Sequence, residues 1–171
     1  MLVNKNNDSR GISFDYRNID LIVYDFDGVM TDNRVIVFQD GREAIIANRA
    51  DGLGVDFFRK LGIPQLILST ETNSVVRFRA SKLQLEVIDS CRDKKTALES
   101  YCRQKGYALN KVIYVGNDLN DSEVMKIVGL PVAPADACSR IRKIAKLITE
   151  ARGGEGVVRE LAGHIKMRRS G

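Results

Sequence analysis

The stretch Ile19–Asn33, IDLIVYDFDGVMTDN, constrains this chain more than any other. Leu21, Ile22, Val23 and Tyr24 form a short apolar run that stops at two carboxylates, Asp25 and Asp27, followed by Gly28. The run predicts a buried parallel strand with acid at its C-terminal end. In an open α/β sheet, ligands bind in the crevice beyond the strand C-termini, so carboxylates there face a ligand rather than a core. Asp25, Asp27 and Gly28 would equally serve an Asx-type turn, and this strand alone does not separate the two readings.

The remaining chain supplies the context. Residues 1–18 read as a polar lead-in. Arg34–Phe38 and Glu43–Ala47 flank an Asp40-Gly41 pair, which predicts a β-hairpin, a flap over residues 34–48. Asp51 reads as an N-cap for a helix whose apolar face is Leu53, Val55, Phe57, Phe58 and Leu61, ending at Gly62. A second strand at Ile63–Leu68 ends in Ser69, Thr70 and Glu71, and a helix over Ser74–Leu83 carries Arg77, Arg79 and Lys82. Leu85–Ile88 predicts a third strand, and 93–104 a helix opening with Lys94. Lys111–Val115 predicts a fourth strand that runs into Gly116, Asn117, Asp118, Asn120 and Asp121. A helix at Ser122–Ile127, a fifth strand at Leu130–Ala133 and two later helices follow. Strands alternating with helices predict a doubly wound, mostly parallel α/β sheet of Rossmann-like form in a single domain over 1–171. The segment 152–171 is a Gly-rich stretch and tail.

Composition narrows the function classes. A domain of this length buries roughly two-thirds of its unfolded surface and needs no staple. The formal charge of +5 is scattered, apart from Lys166, Arg168 and Arg169 near the end. It reads as solvated helix faces with a lean toward an anionic substrate, not as a nucleic-acid surface. Cys91, Cys102 and Cys138 are too widely spaced for a zinc pattern, and three unpaired cysteines suit a reducing compartment. With no signal-peptide pattern and no apolar run of membrane-spanning length, a cytoplasmic location without a membrane partner is expected.

Three strands thus finish in side chains able to hold a metal or a phosphate: Asp25 and Asp27, Ser69, and the group Asn117, Asp118 and Asp121, with Lys94 after a further strand. Any one of these is ordinary turn chemistry; all of them on one sheet edge point to phosphoryl transfer. A phosphate monoester is dianionic and repels an incoming anion, so a carboxylate attacks it only where that repulsion is cancelled. A hard, oxygen-ligated cation such as Mg²⁺, helped by Lys94 and backbone N–H groups, would cancel it. Asp25 is the expected nucleophile, forming an aspartyl phosphate. Asp27 is the expected acid to the leaving alcohol and then base to water. The expected metal set is Asp25, Asp27, Asn117, Asp118 and Asp121.

These residues resemble the haloacid dehalogenase-like phosphatases. Asp25 to Thr31 is similar to that family's DxDGxxT motif, Ser69 to its second-motif hydroxyl, Lys94 to its third-motif lysine, and GNDLND at 116–121 to its acidic fourth motif. DFDGVMTD, the hairpin, ADGLG at 50–54 and RGGEGVVRE at 152–160 look like the small cap-less branch. That branch includes 3-deoxy-octulosonate 8-phosphate phosphatases, 9-phosphate phosphatases of nine-carbon sialic-type sugars, and phosphatase-like domains of acylneuraminate cytidylyltransferases. The resemblance implies a homotetramer whose neighbours close the site with the hairpin and the Gly-rich segment. Gly153, Gly154 and Gly156 read equally as a flexible turn.

Two departures from the family pattern bear on substrate and activity. Members acting on the octulosonate usually carry Gly-Arg after the second-motif hydroxyl, where this chain has Thr70 and Glu71. Glu71 with Lys82 is similar to a pair in the nine-carbon enzymes, and an acid suits a polyol or ammonium better than a carboxylate; Glu71 would equally serve as a helix N-terminal charge. Thr31, Thr70, Glu71, Arg79 and Lys82 are the expected substrate contacts. Asn117 stands where most relatives have an Asp. It can still offer a carbonyl oxygen, but with one charge fewer, and it resembles the cytidylyltransferase domains, some of which are inactive. The alternatives are therefore the octulosonate 8-phosphate as substrate, or a catalytically weak assembly partner of a cytidylyltransferase.

Overall fold

The computed structural model describes residues 12–170. Most of the expected lead-in falls outside the described residues. Its last part is docked, with Tyr16 buried and its ring edge-on to Phe14 and His164.

Six parallel strands make the central sheet: β1 (Leu21–Tyr24), β4 (Gln65–Leu68), β5 (Glu86–Ile88), β6 (Val112–Val115), β7 (Leu130–Ala133) and β8 (Leu147–Ile148). Their spatial order is β5-β4-β1-β6-β7-β8. The chain winds outward from β1 through β4 to β5 and then returns to pair β6 with the other side of β1 in register Tyr24 with Val115. The winding therefore reverses at β1, where a doubly wound sheet opens its crevice. Among the described residues no helix is long and apolar enough to cross a membrane.

Both faces of the sheet are covered, which explains why its strands are mostly apolar, Gln65 in β4 and Glu86 in the edge strand β5 excepted. Ile22 and Tyr24 point to one face, against Val55 and Phe58 of α1 (Ala50–Lys60), Val76 and Ala80 of α2 (Val75–Leu83), and Val158, Leu161 and Ile165 of α6 (Val157–Ser170). Leu21 and Val23 point to the other face. There they meet Leu98 and Cys102 of α3 (Lys94–Lys105), Val124 and Met125 of α4 (Ser122–Met125), and Ile141 of α5 (Ser139–Ile144). The antiparallel hairpin β2 (Thr31–Val37) and β3 (Glu43–Ala47) stands apart from this sheet and turns at Gly41, whose φ is +81°. No lid domain is inserted among these elements.

Several expectations need correction. β2 begins at Thr31 rather than Arg34, with an irregular register around Asn33, whose φ is +64°. The two-residue β8 was not expected, because Leu147 and Ile148 are too short a run to carry a period. Leu53 is 59% exposed, so the buried stripe of α1 is Val55 and Phe58. Asp51 does not cap its own helix, which has Arg49 at that position and no side-chain cap. Its Oδ1 instead accepts the N–H groups of Val158 at 3.0 Å and Arg159 at 3.4 Å, capping α6.

Candidate active site

β1 ends at Tyr24, and the next residue, Asp25, is fixed from several sides. Its backbone N–H continues the ladder to the Val115 carbonyl at 2.9 Å. Its Oδ1 accepts the Phe26 N–H at 2.7 Å and lies 2.8 Å from Lys94 Nζ. Lys94, at the start of α3, is buried and also donates to Asp121 Oδ1 at 2.7 Å. One ammonium thus stands between two buried carboxylates. Burial works against the Lys94 charge, yet Asp25 and Asp121 outweigh it and hold its pKa above the usual lysine value. Lys94 cannot fully compensate both acids. Burial and the Asp121 charge push the Asp25 carboxyl up, against the pull of Lys94 and the Phe26 N–H.

Asp121 has every lone pair engaged by the protein. Oδ1 accepts from Lys94 and from the Tyr114 hydroxyl at 2.8 Å, and Oδ2 from the N–H groups of Asn117 at 2.9 Å and Asp118 at 3.3 Å. It is a clamp for the loop after β6 and for Lys94, which corrects its expected place among direct metal ligands. Gly116 makes room for it, since a Cβ there would lie 2.6 Å from Asp121 Cγ. Asp118 is exposed and its Oδ1 accepts the Leu119 N–H at 2.7 Å, so it caps the short 3-10 turn rather than reaching the Asp25 carboxylate. Tyr114 was not expected in this network, because a tyrosine in an apolar run reads as core.

Asn117 does reach the centre. Its side-chain oxygen faces the Asp27 carbonyl oxygen at 2.9 Å and Asp25 Oδ2 at 3.2 Å. Gly28 lies directly against it: a Cβ there would sit 1.9 Å from the amide, and the φ of +80° independently favours glycine. Three oxygens therefore meet at these separations with no donor between them. An octahedral Mg²⁺ with bonds of about 2.1 Å places adjacent ligands about 3 Å apart, so the donor set fits a hard cation. The set holds a single carboxylate, and no cluster of three His, Cys, Asp or Glu side chains is placed for a metal among the described residues.

Asp27 is only partly buried and borders a cavity of about 260 Å³ with Arg34, Glu43, Ile45, Glu71 and Asn73. Burial and then the Glu71 charge raise its pKa, while a hydrogen bond from Thr31 and the Lys94 charge oppose them. A carboxyl so placed holds a proton more readily than an exposed one, as a general acid requires. Ser69 is buried at the end of β4 and its Oγ accepts the Glu71 N–H at 3.1 Å. Glu71 Oε1 accepts the N–H groups of Thr72 at 2.7 Å and Asn73 at 2.8 Å. Glu71 thus organises the turn that leads into α2 and also lines the cavity. Thr70 is exposed beside it. A larger hollow of about 600 Å³ lies at the opposite edge of the sheet, away from every one of these groups.

Three expected substrate contacts are placed otherwise. Thr31 is fully buried, and its hydroxyl donates to Asp27 Oδ1 at 3.4 Å while facing the Gly28 and Asn33 N–H groups at 3.3 Å, so it positions the loop. Arg79 donates to the Asn48 carbonyl at 2.8 Å and ties α2 to the end of β3. Lys82 lies in the last turn of α2, which runs back from the strand ends, so seven residues place it about 10 Å further from the rim than Val75. It does not share the rim with Glu71.

The Gly-rich segment is packed rather than loose. A Cβ on Gly153 would lie 2.3 Å from the Gly28 carbonyl oxygen, and one on Gly154 would lie 2.6 Å from the Asp32 nitrogen. The Gly154 N–H donates to the Val29 carbonyl at 3.1 Å, and Asn48 Nδ2 donates to the Gly154 carbonyl at 3.1 Å. Close backbone approach, rather than a free turn, is why glycine stands there.

A parallel sheet with this acid, hydroxyl and lysine set at its switch point defines a hydrolase of the Rossmann-like, cap-less kind. The chain belongs to the haloacid dehalogenase-like hydrolase family, whose pattern matches residues 63–161. It is 32% identical to the 3-deoxy-D-manno-octulosonate 8-phosphate phosphatase KdsC of Salmonella typhi, over 84% of this chain and 77% of that one. A HAD family hydrolase from Streptomyces avermitilis is 45% identical with a TM-score of 0.85, covering 86% of this chain and 85% of its own. The Moraxella catarrhalis 3-deoxy-D-manno-octulosonate 8-phosphate phosphatase, solved with magnesium, phosphate and KDO, is 29% identical with a TM-score of 0.85. It is covered over 88% of its length, and this chain over 89%.

Proposed function

We propose that the chain is a Mg²⁺-dependent sugar-phosphate phosphatase working through an aspartyl phosphate on Asp25. The observation that carries this reading is the Asp25 carboxylate held beside Lys94 at the switch point, with Asp27 at the mouth of the adjoining cavity. Asp25, the Asp27 carbonyl and Asn117 would hold the cation, which when bound supplies charge neutralisation for the phosphoryl group. Asp25 forms a bond to phosphorus as the bond from phosphorus to the sugar oxygen breaks, and Asp27 gives its proton to that oxygen. Asp27 then takes a proton from water, which attacks phosphorus and releases inorganic phosphate and free Asp25. Ser69 and Lys94 hold the phosphoryl oxygens.

The substrate we favour is a nine-carbon, 2-keto-3-deoxy sialic-type sugar 9-phosphate. Glu43 and Glu71 border the cavity beside Asp27, and carboxylates accept hydrogen bonds from the hydroxyls of a polyol chain. The displacement of Lys82 from the rim leaves Glu71 as the residue that carries this preference. The second reading, the octulosonate 8-phosphate, is supported by the names of the relatives. A homotetramer whose neighbours complete the cavity belongs to the same proposal: the hairpin exposes Val35, Ile36, Val37, Phe38 and Ile46.

Phosphate release from eight- and nine-carbon keto-sugar phosphates, with and without Mg²⁺, tests the proposal. Asp25→Asn should leave the fold intact and reduce turnover by about 10³-fold or more. Turnover indifferent to that substitution would remove the covalent step, and preference for the eight-carbon ester would replace the favoured substrate. No turnover on any ester with Mg²⁺ would favour a phosphatase-like assembly partner of a cytidylyltransferase.

A further inference from the structure

We infer that Tyr114 is a positioning residue for Lys94: its hydroxyl occupies one lone pair of Asp121 Oδ1 and so keeps the ammonium shared between Asp121 and Asp25, with an N–H left for a phosphoryl oxygen. The inference rests on the reading above that Lys94 holds a phosphoryl oxygen, but on neither the sugar nor the cation. Tyr114 is the third residue of β6, fully buried on the face covered by α3, α4 and α5. Phenylalanine would pack an apolar strand equally well. What tyrosine adds is one donor, which reaches Asp121 Oδ1 at 2.8 Å. Burial and the charges of Asp121 and Asp25 hold the phenol protonated, so it remains a donor.

Counting donors and acceptors gives the hydroxyl its consequence. A carboxylate oxygen has two lone pairs, and Oδ1 of Asp121 takes one hydrogen bond from Tyr114 and one from Lys94 Nζ at 2.7 Å. Oδ2 is filled by the N–H groups of Asn117 and Asp118. Lys94 has three N–H groups. Asp121 takes one and Asp25, 2.8 Å away, takes a second, which leaves the third for the substrate. Without the hydroxyl, Oδ1 keeps an unpaired acceptor site in the interior, which is costly. The ammonium is the neighbouring donor able to answer it, and does so by leaning toward Asp121, away from Asp25 and the phosphoryl group. Tyr24, in the adjacent strand β1, provides the control. It is as deeply buried, but its hydroxyl donates to Gln65 Oε1 at 2.8 Å, outside this network.

Tyr114→Phe and Tyr24→Phe test the inference, each compared with the native chain by thermal melting, by kcat and KM on a sugar phosphate with Mg²⁺, and by calorimetric binding of inorganic phosphate in MgCl₂. Both variants should melt below the native chain, since each loses a buried hydrogen bond. Tyr114→Phe alone should lower kcat/KM by roughly ten- to a hundredfold, the scale of one hydrogen bond to a charged group, and weaken phosphate binding. Tyr24→Phe should keep both quantities within about twofold of the native chain. Native kcat/KM and phosphate affinity in Tyr114→Phe, or equal losses in Tyr24→Phe, overturn the inference, because the hydroxyl then serves packing alone. A native chain that turns over no ester overturns the phosphatase reading instead. The phosphate titrations then decide the inference by themselves: weaker binding in Tyr114→Phe alone upholds it, and binding equal in all three proteins, or absent from all, overturns it.

Discussion

Asp51 Oδ1 accepts the backbone N–H of Val158 at 3.0 Å across 107 residues of chain. One buried carboxylate near the start of α1 thereby caps α6 and holds the Gly-rich segment against the loop that carries Asp27. Burial raises the Asp51 pKa from 3.8 to about 6, with the Arg159 and Val158 N–H groups and the Arg79 charge pulling the other way. Between those values the folded chain keeps a proton that the unfolded chain has released, so this residue's contribution to stability falls as pH rises from about 4 to 6. Asn keeps the accepting oxygen without the charge. Asp51→Asn should therefore gain on the native chain by roughly 1–3 kcal/mol from pH 4 to pH 7. Urea midpoints across that range check it; a variant that falls behind as pH rises would show that the charge itself supports the cap.

Lys94 neutralises a site it shares with two acids. Lys94→Met leaves Asp25 and Asp121 buried with no cation between them, at a cost of about 3–5 kcal/mol. The loss should shrink in acid, because the Asp25 carboxyl, pushed up by burial and the Asp121 charge, then takes a proton. Equilibrium unfolding at pH 5 and pH 8 measures both effects, and equal losses at the two pH values would contradict the charge argument.

Gly153 and Gly163 should respond oppositely to alanine. At Gly153 the added Cβ meets backbone of the Gly28 loop, so roughly 1–3 kcal/mol should be lost together with activity. At Gly163, inside α6, nothing lies within 4 Å of the new atom, and helix propensity should add about 0.5–1 kcal/mol. Paired thermal melts decide. A neutral Gly153→Ala would mean that the C-terminal brace yields.

Glu71 and Thr31 act on Asp27 in opposite directions. Glu71→Gln should move the Asp27-dependent limb of the pH–rate profile to lower pH, and Thr31→Val should move it to higher pH. A profile unmoved by both substitutions would separate Asp27 from proton transfer.

Much of the site was legible before folding because it is built where strands stop. Apolar runs at 21–24, 66–68 and 112–115 give way abruptly to polar residues, and β-strand period and turn chemistry mark those points locally. The residues misjudged are those whose role depends on a distant partner. Asp51 looked like the cap of its own helix and caps another. Thr31 and Arg79 looked like substrate contacts and instead hold backbone. Lys82 was separated from Glu71 by the direction in which α2 runs, and Asp121 lost its place at the metal to Tyr114, Lys94 and two N–H groups.

Local order along the chain determined the parallel sheet, the strand whose end carries Asp25 and the set of residues able to handle a phosphate, because hydrophobic periodicity and terminal polar residues act over a few positions. Only the tertiary structure decided which oxygens meet. The choice of Asn117 over Asp118 and Asp121 beside Asp25, and the seating of Gly153 on Gly28, depend on distances between segments brought together by the packing of the sheet and its helices.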